Sequence, residues 1–310
     1  MTDAERGRRV GYIGAGLMGH GAAKNLLKCG HALTLLVHRR RTAVEDLIAQ
    51  GATEAATPAE VARASEVVFL CLPSSAEVEQ VLTGPDGVAA GARPGLVVVD
   101  STTADPMVTR RLAAWLAGRG VQMVDAPLGR SPAAAEAGKL ASFIGGDPDT
   151  IARVRDLIAC YSEVIIETGP IGSATTCKII NNFITVGNAA IVAEAVACAA
   201  SLGVDLQKVY DVVSASGANS SMFQQMMPWA LRGDVSPLRG AMRLAVKDLG
   251  YFDELTRHLA AKPISPHVIA LYRRMEAEGH RDRFLPELIG LLARENGAEV
   301  QPLADPPGAH

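Results

Sequence analysis

Two sets of residues have the types and spacing that chemistry needs. The first is Lys178 with Asn182 four residues on. Lys178 lies just inside a long apolar stretch, flanked by Cys177, Ile179 and Ile180. A lone cation near a helix start opposes the helix dipole, so its presence there asks for a use. Adding a hydride to a carbonyl leaves a developing alkoxide, which a positioned cation or proton donor must stabilise and protonate. Lys178 suits that task, and Asn182, on the same helix face, can orient the ammonium or a substrate hydroxyl. Asn181 faces about 100° away and contacts either substrate or solvent. The plainer alternative for Lys178 is a surface lysine.

The second set is the turn Gly14-Ala15-Gly16-Leu17-Met18-Gly19. A GxGxxG run is weak alone, but this one follows the apolar segment Val10–Ile13 and opens a helical segment that ends at Gly30. In that setting Gly14 permits the tight turn, Gly16 lets the backbone approach a pyrophosphate, and Gly19 lets the helix pack on the strand. The free amides of the helix start, with Leu17 and Met18 at its mouth, then hold the phosphates of a dinucleotide. The end of the next strand sets cofactor preference. An acid there binds a ribose 2′-hydroxyl, whereas arginines suit a 2′-phosphate. This chain has His38-Arg39-Arg40-Arg41, with no acid before Glu45, so NADP is expected over NAD, which is not excluded.

A third feature follows a later strand. Arg130 has the planar fork that suits a carboxylate, sulfonate or phosphate, and Ser131 can donate to the same anion; an inter-domain or inter-subunit salt bridge is the alternative. Asp125 is expected to fix a turn, since an acid beside a bound anion would repel it, and His20 to be helix surface. No metal site is expected: the five cysteines lack metal spacing and the seven histidines are dispersed.

The elements that must position these groups are legible as two regimes. Val10–Ile13, Leu33–Val37, Val67–Cys71, Leu96–Val99, Val121–Val124 and Val164–Ile166 read as strands, most of them apolar on successive residues as strands covered on both faces must be. Helical segments lie between them, and this alternation indicates a mostly parallel sheet with helices on both faces. After Gly169-Pro170-Ile171-Gly172 the chain reads as helix: 174–202, 205–215, 220–231, 237–258 and 266–278. The expected architecture is therefore α/β, an N-terminal Rossmann domain over 1–171 followed by an all-α domain over 172–310 for substrate and dimerisation, with a flexible tail over 297–310. The stretch Phe183–Ala200 approaches membrane-spanning length but carries Asn188 and Glu194, and is expected to be a buried helix.

Hydrophobic residues make up 48% of the 310 residues and charged ones 20%, enough for a large core and against disorder. The formal net charge of −3 gives no reason to expect a nucleic-acid or membrane partner. A charged N-terminus that leads at once into a strand suggests no signal peptide, and scattered cysteines suit a reduced, cytoplasmic protein. The expected partners are a small anionic substrate and further copies of the chain, as a homodimer or homotetramer. The apolar helical half and its Met222, Met226 and Met227 cluster supply candidate core or subunit contacts.

At this point the motifs match a family. Gly11-Tyr-Ile-Gly-Ala-Gly-Leu-Met-Gly19 resembles the signature of the β-hydroxyacid dehydrogenases, the group containing 3-hydroxyisobutyrate dehydrogenase and tartronate semialdehyde reductase. Cys71-Leu72-Pro73-Ser74, Asp100-Ser-Thr-Thr103, Asp125-Ala-Pro127, Gly169-Pro-Ile-Gly172 with Lys178-Ile-Ile-Asn-Asn182, and Lys247-Asp248-Leu249 agree in order and spacing, over about residues 9 to 293. The resemblance implies an NAD(P)-dependent enzyme acting between an aldehyde acid and its hydroxy acid, with Lys178 as the catalytic lysine and Asn182 as its companion. It also implies that Leu72 and Pro73 line the cofactor, that Thr103 lies near the nicotinamide, and that Lys247 closes over the cofactor. One segment departs. Where the family has a serine followed by two glycines holding the substrate carboxylate, this chain has Gly129-Arg130-Ser131, similar to the loop of sulfolactaldehyde reductase, in which the arginine helps hold a sulfonate. Two other readings belong to relatives with this architecture, imine reduction and a non-catalytic NADP-binding scaffold. Both typically lack the lysine that stands here as Lys178.

Overall fold

The computed structural model describes residues 7–37 and 41–303. His38, Arg39 and Arg40, expected at the cofactor's 2′-phosphate, and the last seven residues of the expected flexible tail lie outside the described residues. The chain divides into two compact units, Met1–Lys178 and Ile179–His310.

The first unit is built on nine strands among the described residues: β1 (Arg9–Ile13), β2 (Ala32–Leu36), β3 (Thr53–Ala55), β4 (Val67–Leu70), β5 (Val97–Asp100), β6 (Gln122–Asp125), β7 (Leu128–Gly129), β8 (Leu140–Gly145) and β9 (Ser162–Gly169). Between them run helices α1 (Gly19–Lys28), α2 (Glu45–Ala49), α3 (Pro58–Ala64), α4 (Ser75–Thr83), α5 (Val88–Gly91), α6 (Pro106–Ala117), α7 (Pro132–Glu136), α8 (Pro148–Ala152) and α9 (Arg155–Ala159). The strand order is β3-β2-β1-β4-β5-β6-β8-β7, with β9 beside β8. Pairing is parallel from β3 to β6 and between β8 and β9; β8 is antiparallel to β6 and β7. This is the expected Rossmann arrangement. Successive strand residues feed opposite faces. Val67, Phe69, Val97 and Val99 enter one core, and Val68, Leu70 and Val98 the other. Each such side chain contributes about 1.5–3 kcal/mol when fully buried, which is why these strands read as unbroken apolar runs.

Several helices start where capping chemistry puts them. Thr57, Asp105 and Asp147 accept from backbone N–H groups of the first turns of α3, α6 and α8, and each is followed by proline.

The second unit is helical: most of α10 (Ser173–Ser201), then α11 (Leu206–Ser214), α12 (Ser221–Arg232), α13 (Met242–Leu255), α14 (Ser265–Ala277) and α15 (Leu288–Glu295). Its core is rich in methionine: Met222, Met226, Met227, Met242 and Met275 are buried beside Trp229 and Tyr272. Two expectations are corrected here. The helix expected from Pro237 starts only at Met242, because the backbone ahead of it pairs elsewhere: Leu285 N donates to Gly240 O and Met242 N to Arg283 O, each at 2.9 Å, around a bridge between Ala241 and Phe284. The second is corrected in part: Phe183–Ala200, expected as a buried helix, buries Val186, Ala189, Ala193, Val196 and Ala197, while Ile184 and Ile191 on its other side are exposed.

Candidate active site

In the first unit the sheet order reverses between β2 and β4, on either side of β1, and the glycine turn follows β1 at that point. Open α/β sheets bind ligands at such a reversal. The three glycines have different reasons. Gly14 has φ of 100°, and a Cβ there would lie 2.2 Å from Cys71 O; a Cβ on Gly19 would lie 2.2 Å from Gly14 O. The fold itself demands both. A Cβ on Gly16 would meet nothing within 4 Å. The protein does not need glycine at that position, which leaves close approach of a ligand as its use. Beyond the turn, Met18 gives α1 no side-chain cap and no acid occupies its first turn, so its N–H groups face a site fit for an anion. The residues present therefore fit a dinucleotide. Leu17 is exposed.

The loops after β4 and β5 are tied together beside this turn. Leu72 N donates to Thr102 Oγ1 at 3.0 Å, Thr102 N donates to Asp100 Oδ1 at 3.0 Å, and Asp105 N donates to Ser75 Oγ at 2.7 Å. Pro73 and Thr103 lie in these loops, Pro73 exposed and Thr103 half-buried. Burial pushes the Asp100 carboxyl up to about 7, with the nearby Asp125 adding to the rise.

Asp125, at the end of β6, takes three donors: Gly172 N at 2.7 Å, Thr175 N at 2.7 Å and Thr175 Oγ1 at 2.8 Å. It is therefore the acceptor for the start of α10, as its reading as a turn-fixing acid expects. Burial raises its pKa against these hydrogen bonds. Lys178 follows less than two turns into the same helix and is half-buried.

The segment 129–131 is arranged differently from an open anion cradle. Gly129 is buried in β7. Arg130 carries φ of 77°, the one positive φ at a non-glycine among the described residues. Its Nη1 donates to Lys139 O at 2.6 Å and to Glu163 Oε2 at 2.5 Å. Ser131 accepts from Ala134 N at 3.3 Å and so caps α7. At the other end of the unit, Arg41 pairs with Glu54 at 2.5 Å and reaches Glu45 at 4.0 Å.

In the second unit, Asn182 Nδ2 donates to Asp248 Oδ2 at 2.7 Å, and Asn181 Nδ2 donates to Asn182 Oδ1 at 3.2 Å. The amide of Asn182 is thereby fixed in one orientation. Lys247 Nζ lies 3.2 Å from Asp248 Oδ1 and over the ring of Tyr251. Asp248 is the residue that sequence reasoning passed over. It was visible in Lys247-Asp248-Leu249, but no spacing rule links positions 182 and 248. Among the described residues no cluster could hold a metal ion.

Residues 9–169 match the family described as the NAD binding domain of 6-phosphogluconate dehydrogenase. Residues 172–292 match the family described as NAD-binding of NADP-dependent 3-hydroxyisobutyrate dehydrogenase. L-threonate dehydrogenase of Cupriavidus necator is 32% identical, over 88% of this chain and 92% of its own. 3-Sulfolactaldehyde reductase of Escherichia coli is 32% identical, over 87% of this chain and 91% of its own. The structure of Mycobacterium tuberculosis 3-hydroxyisobutyrate dehydrogenase with L-serine superposes with a TM-score of 0.82 at 26% identity, over 92% of this chain and 99% of that one.

Proposed function

The chain belongs to the β-hydroxyacid dehydrogenase family of NAD(P)-dependent oxidoreductases, and from that premise we propose that it passes a hydride between NADPH and a short aldehyde acid, or in reverse its hydroxy acid, with Lys178 as general acid and base. The observation that carries this is the division of labour in the glycine turn, where Gly14 and Gly19 serve the fold and Gly16 is left for a ligand. The bound dinucleotide supplies the hydride. Lys178 gives a proton to the oxygen of the reduced carbonyl, and takes it back when the alcohol is oxidised. Asn182, oriented by Asp248 and Asn181, fixes the substrate hydroxyl against Lys178.

Leu72, Pro73, Thr103 and Lys247 belong to the cofactor site in this reading, and Gly129, Arg130, Ser131 and Asn181 to the substrate's anion. Arg130 exchanges Glu163 for a substrate carboxylate or sulfonate. Support comes from the relatives named for L-threonate and for 3-sulfolactaldehyde. The run Arg39–Arg41 supports NADPH over NADH, with Arg41 sharing its guanidinium with Glu54. Five free cysteines support a reducing, cytoplasmic setting. The exposed stripe Ile180, Ile184 and Ile191 supports a homo-oligomer.

The test is NADPH oxidation with methylmalonate, succinate and tartronate semialdehydes, sulfolactaldehyde, glyoxylate and a cyclic imine. Turnover with an aldehyde acid is expected, slower with NADH. Lys178→Ala should lose about 10²–10⁴-fold in kcat with NADPH binding intact. Turnover of the imine alone, or of nothing, overturns the reading; an active Lys178→Ala overturns the assigned acid; equal efficiency with NADH overturns the cofactor preference.

A further inference from the structure

His20, expected as plain helix surface, is held at both ring nitrogens. Nδ1 lies 2.6 Å from Glu136 Oε1 and Nε2 lies 2.9 Å from Asp46 Oδ1. Both partners are carboxylates, which only accept when ionised, and a neutral imidazole has a single N–H. One protonation state satisfies both contacts with both carboxylates ionised: the imidazolium. Lys24, one turn further along α1, donates to the other oxygen of Glu136 at 2.8 Å. Burial works to lower the His20 pKa, but the hydrogen bonds and charges of Asp46 and Glu136 outweigh it and hold the ring above its ordinary value. The two carboxylates are in turn held below theirs.

The placement gives this quartet a bearing on the cofactor. His20 N donates to Gly16 O at 2.8 Å, so the residue closes the phosphate turn itself. Asp46 stands in the first turn of α2, just after the run His38–Arg41, and Glu136 ends α7, just after Gly129–Ser131. Helices α1 and α7 are locked at this point. A Cβ on Gly21 would lie 2.4 Å from the Ala135 carbonyl carbon, and Asn25 Nδ2 donates to Ala135 O at 2.9 Å.

With His20 and Lys24 charged, the two cations balance Asp46 and Glu136. With His20 neutral, one carboxylate loses its partner and a net negative charge stands at the turn that binds phosphates. Both changes act against an anionic ligand.

We propose that the His20 imidazolium is a positioning residue for the cofactor, a clamp that joins α1 to α2 and α7 and neutralises Asp46 and Glu136 beside the phosphate turn, so that dinucleotide affinity falls as His20 loses its proton. The proposal rests on the reading of Gly14–Gly19 as the dinucleotide turn. By linkage, a proton that favours binding must itself be bound more tightly when the cofactor is present.

The experiment is NADPH titration from about pH 6 to about pH 9, on wild type and on His20→Gln, each checked for folding by thermal denaturation without cofactor. The wild-type Kd should rise roughly fivefold across this range, on the scale of one charge acting through a part-solvated turn. In His20→Gln it should start at the weaker value and lose that rise. The cofactor's own 2′-phosphate titration is common to both proteins and cancels in the comparison. In the wild type alone, the NMR titration of the His20 ring should show a higher pKa with NADPH bound than without. A wild-type protein that binds NADPH, with His20→Gln giving the same pH profile or the His20 pKa unmoved by NADPH, overturns the clamp and leaves the dinucleotide reading standing. A folded wild-type protein that binds neither NADPH nor NADH at any pH overturns both.

Discussion

Arg130 holds a left-handed backbone conformation that costs a side-chain-bearing residue about 1–2 kcal/mol, and its guanidinium rests on an exposed carboxylate. An exposed ion pair returns about 0–1 kcal/mol and the bond to Lys139 O about 0.5–1.5 kcal/mol, so the two together do little more than offset the strain. Strain kept at a loop after a sheet's strand ends is a mark of use. Arg130→Gly should therefore stay within about 1 kcal/mol of wild-type stability in chemical denaturation, strain relief offsetting the lost contacts, while raising KM for an anionic substrate by about tenfold or more. A clearly destabilised variant with unchanged KM would make Arg130 a structural tie between β7, β8 and β9. At this scale the sequence was informative where a residue's type is unusual for its place. Lys178 stood out in an apolar run, and Gly16 stood out in a motif. It misread His20 as plain helix surface and gave no contact for Asp248 or Glu163, because their partners lie 26 to 116, 66 and 33 positions away. Contacts of that kind exist only once the chain is folded.

Helix α10 depends at its start on one buried carboxylate. Asp125 satisfies two backbone N–H groups and the Thr175 hydroxyl, and an anion at that end also complements the helix dipole. Asp125→Ala leaves all three donors without their acceptor and should cost about 2–4 kcal/mol. Because Lys178 follows on the same helix, kcat should fall further than NADPH affinity. Asp125→Asn, which keeps one acceptor oxygen, should fall between the two proteins in both measurements. An Asp125→Ala protein with wild-type stability would show that the helix start is held by other contacts. Elements were legible where burial imposes a long, simple period, as in β1, β4 and β5, each fully or almost fully buried. They were missed where burial is brief. The edge strand β3 has three residues with one buried, and α5 is a single turn of four. The seven-residue α3 was missed as well; its start is marked by Thr57-Pro58, a capping signal that periodicity does not register.

For the molecule as a whole, the apolar side of α10 is more than one chain buries. Its residues Ile180, Ile184 and Ile191 fall on one side, at helical spacing, and are 45%, 57% and 63% exposed. Light scattering at micromolar concentration should give a multiple of the mass of one chain, and Ile184→Glu with Ile191→Glu should shift the protein toward that single mass. A wild-type monomer would remove the homo-oligomer from the proposed function. The alternation of strand and helix, followed by helix alone, made the two-regime architecture readable from the chain. His38–Arg40, from which the proposed preference for NADPH is argued, lie outside the described residues. The methionine core of the second unit has a consequence of another kind. Met226, Met227, Met242 and Met275 are sealed from solvent while that unit stays folded. Any transient opening in the presence of peroxide would convert flexible thioethers into polar sulfoxides, which fit poorly back into an apolar interior. Each opening then carries a chance of being the last. The working lifetime of the protein in an oxidising medium is thereby tied to how often this interior breathes, and it should shorten with every change that loosens it.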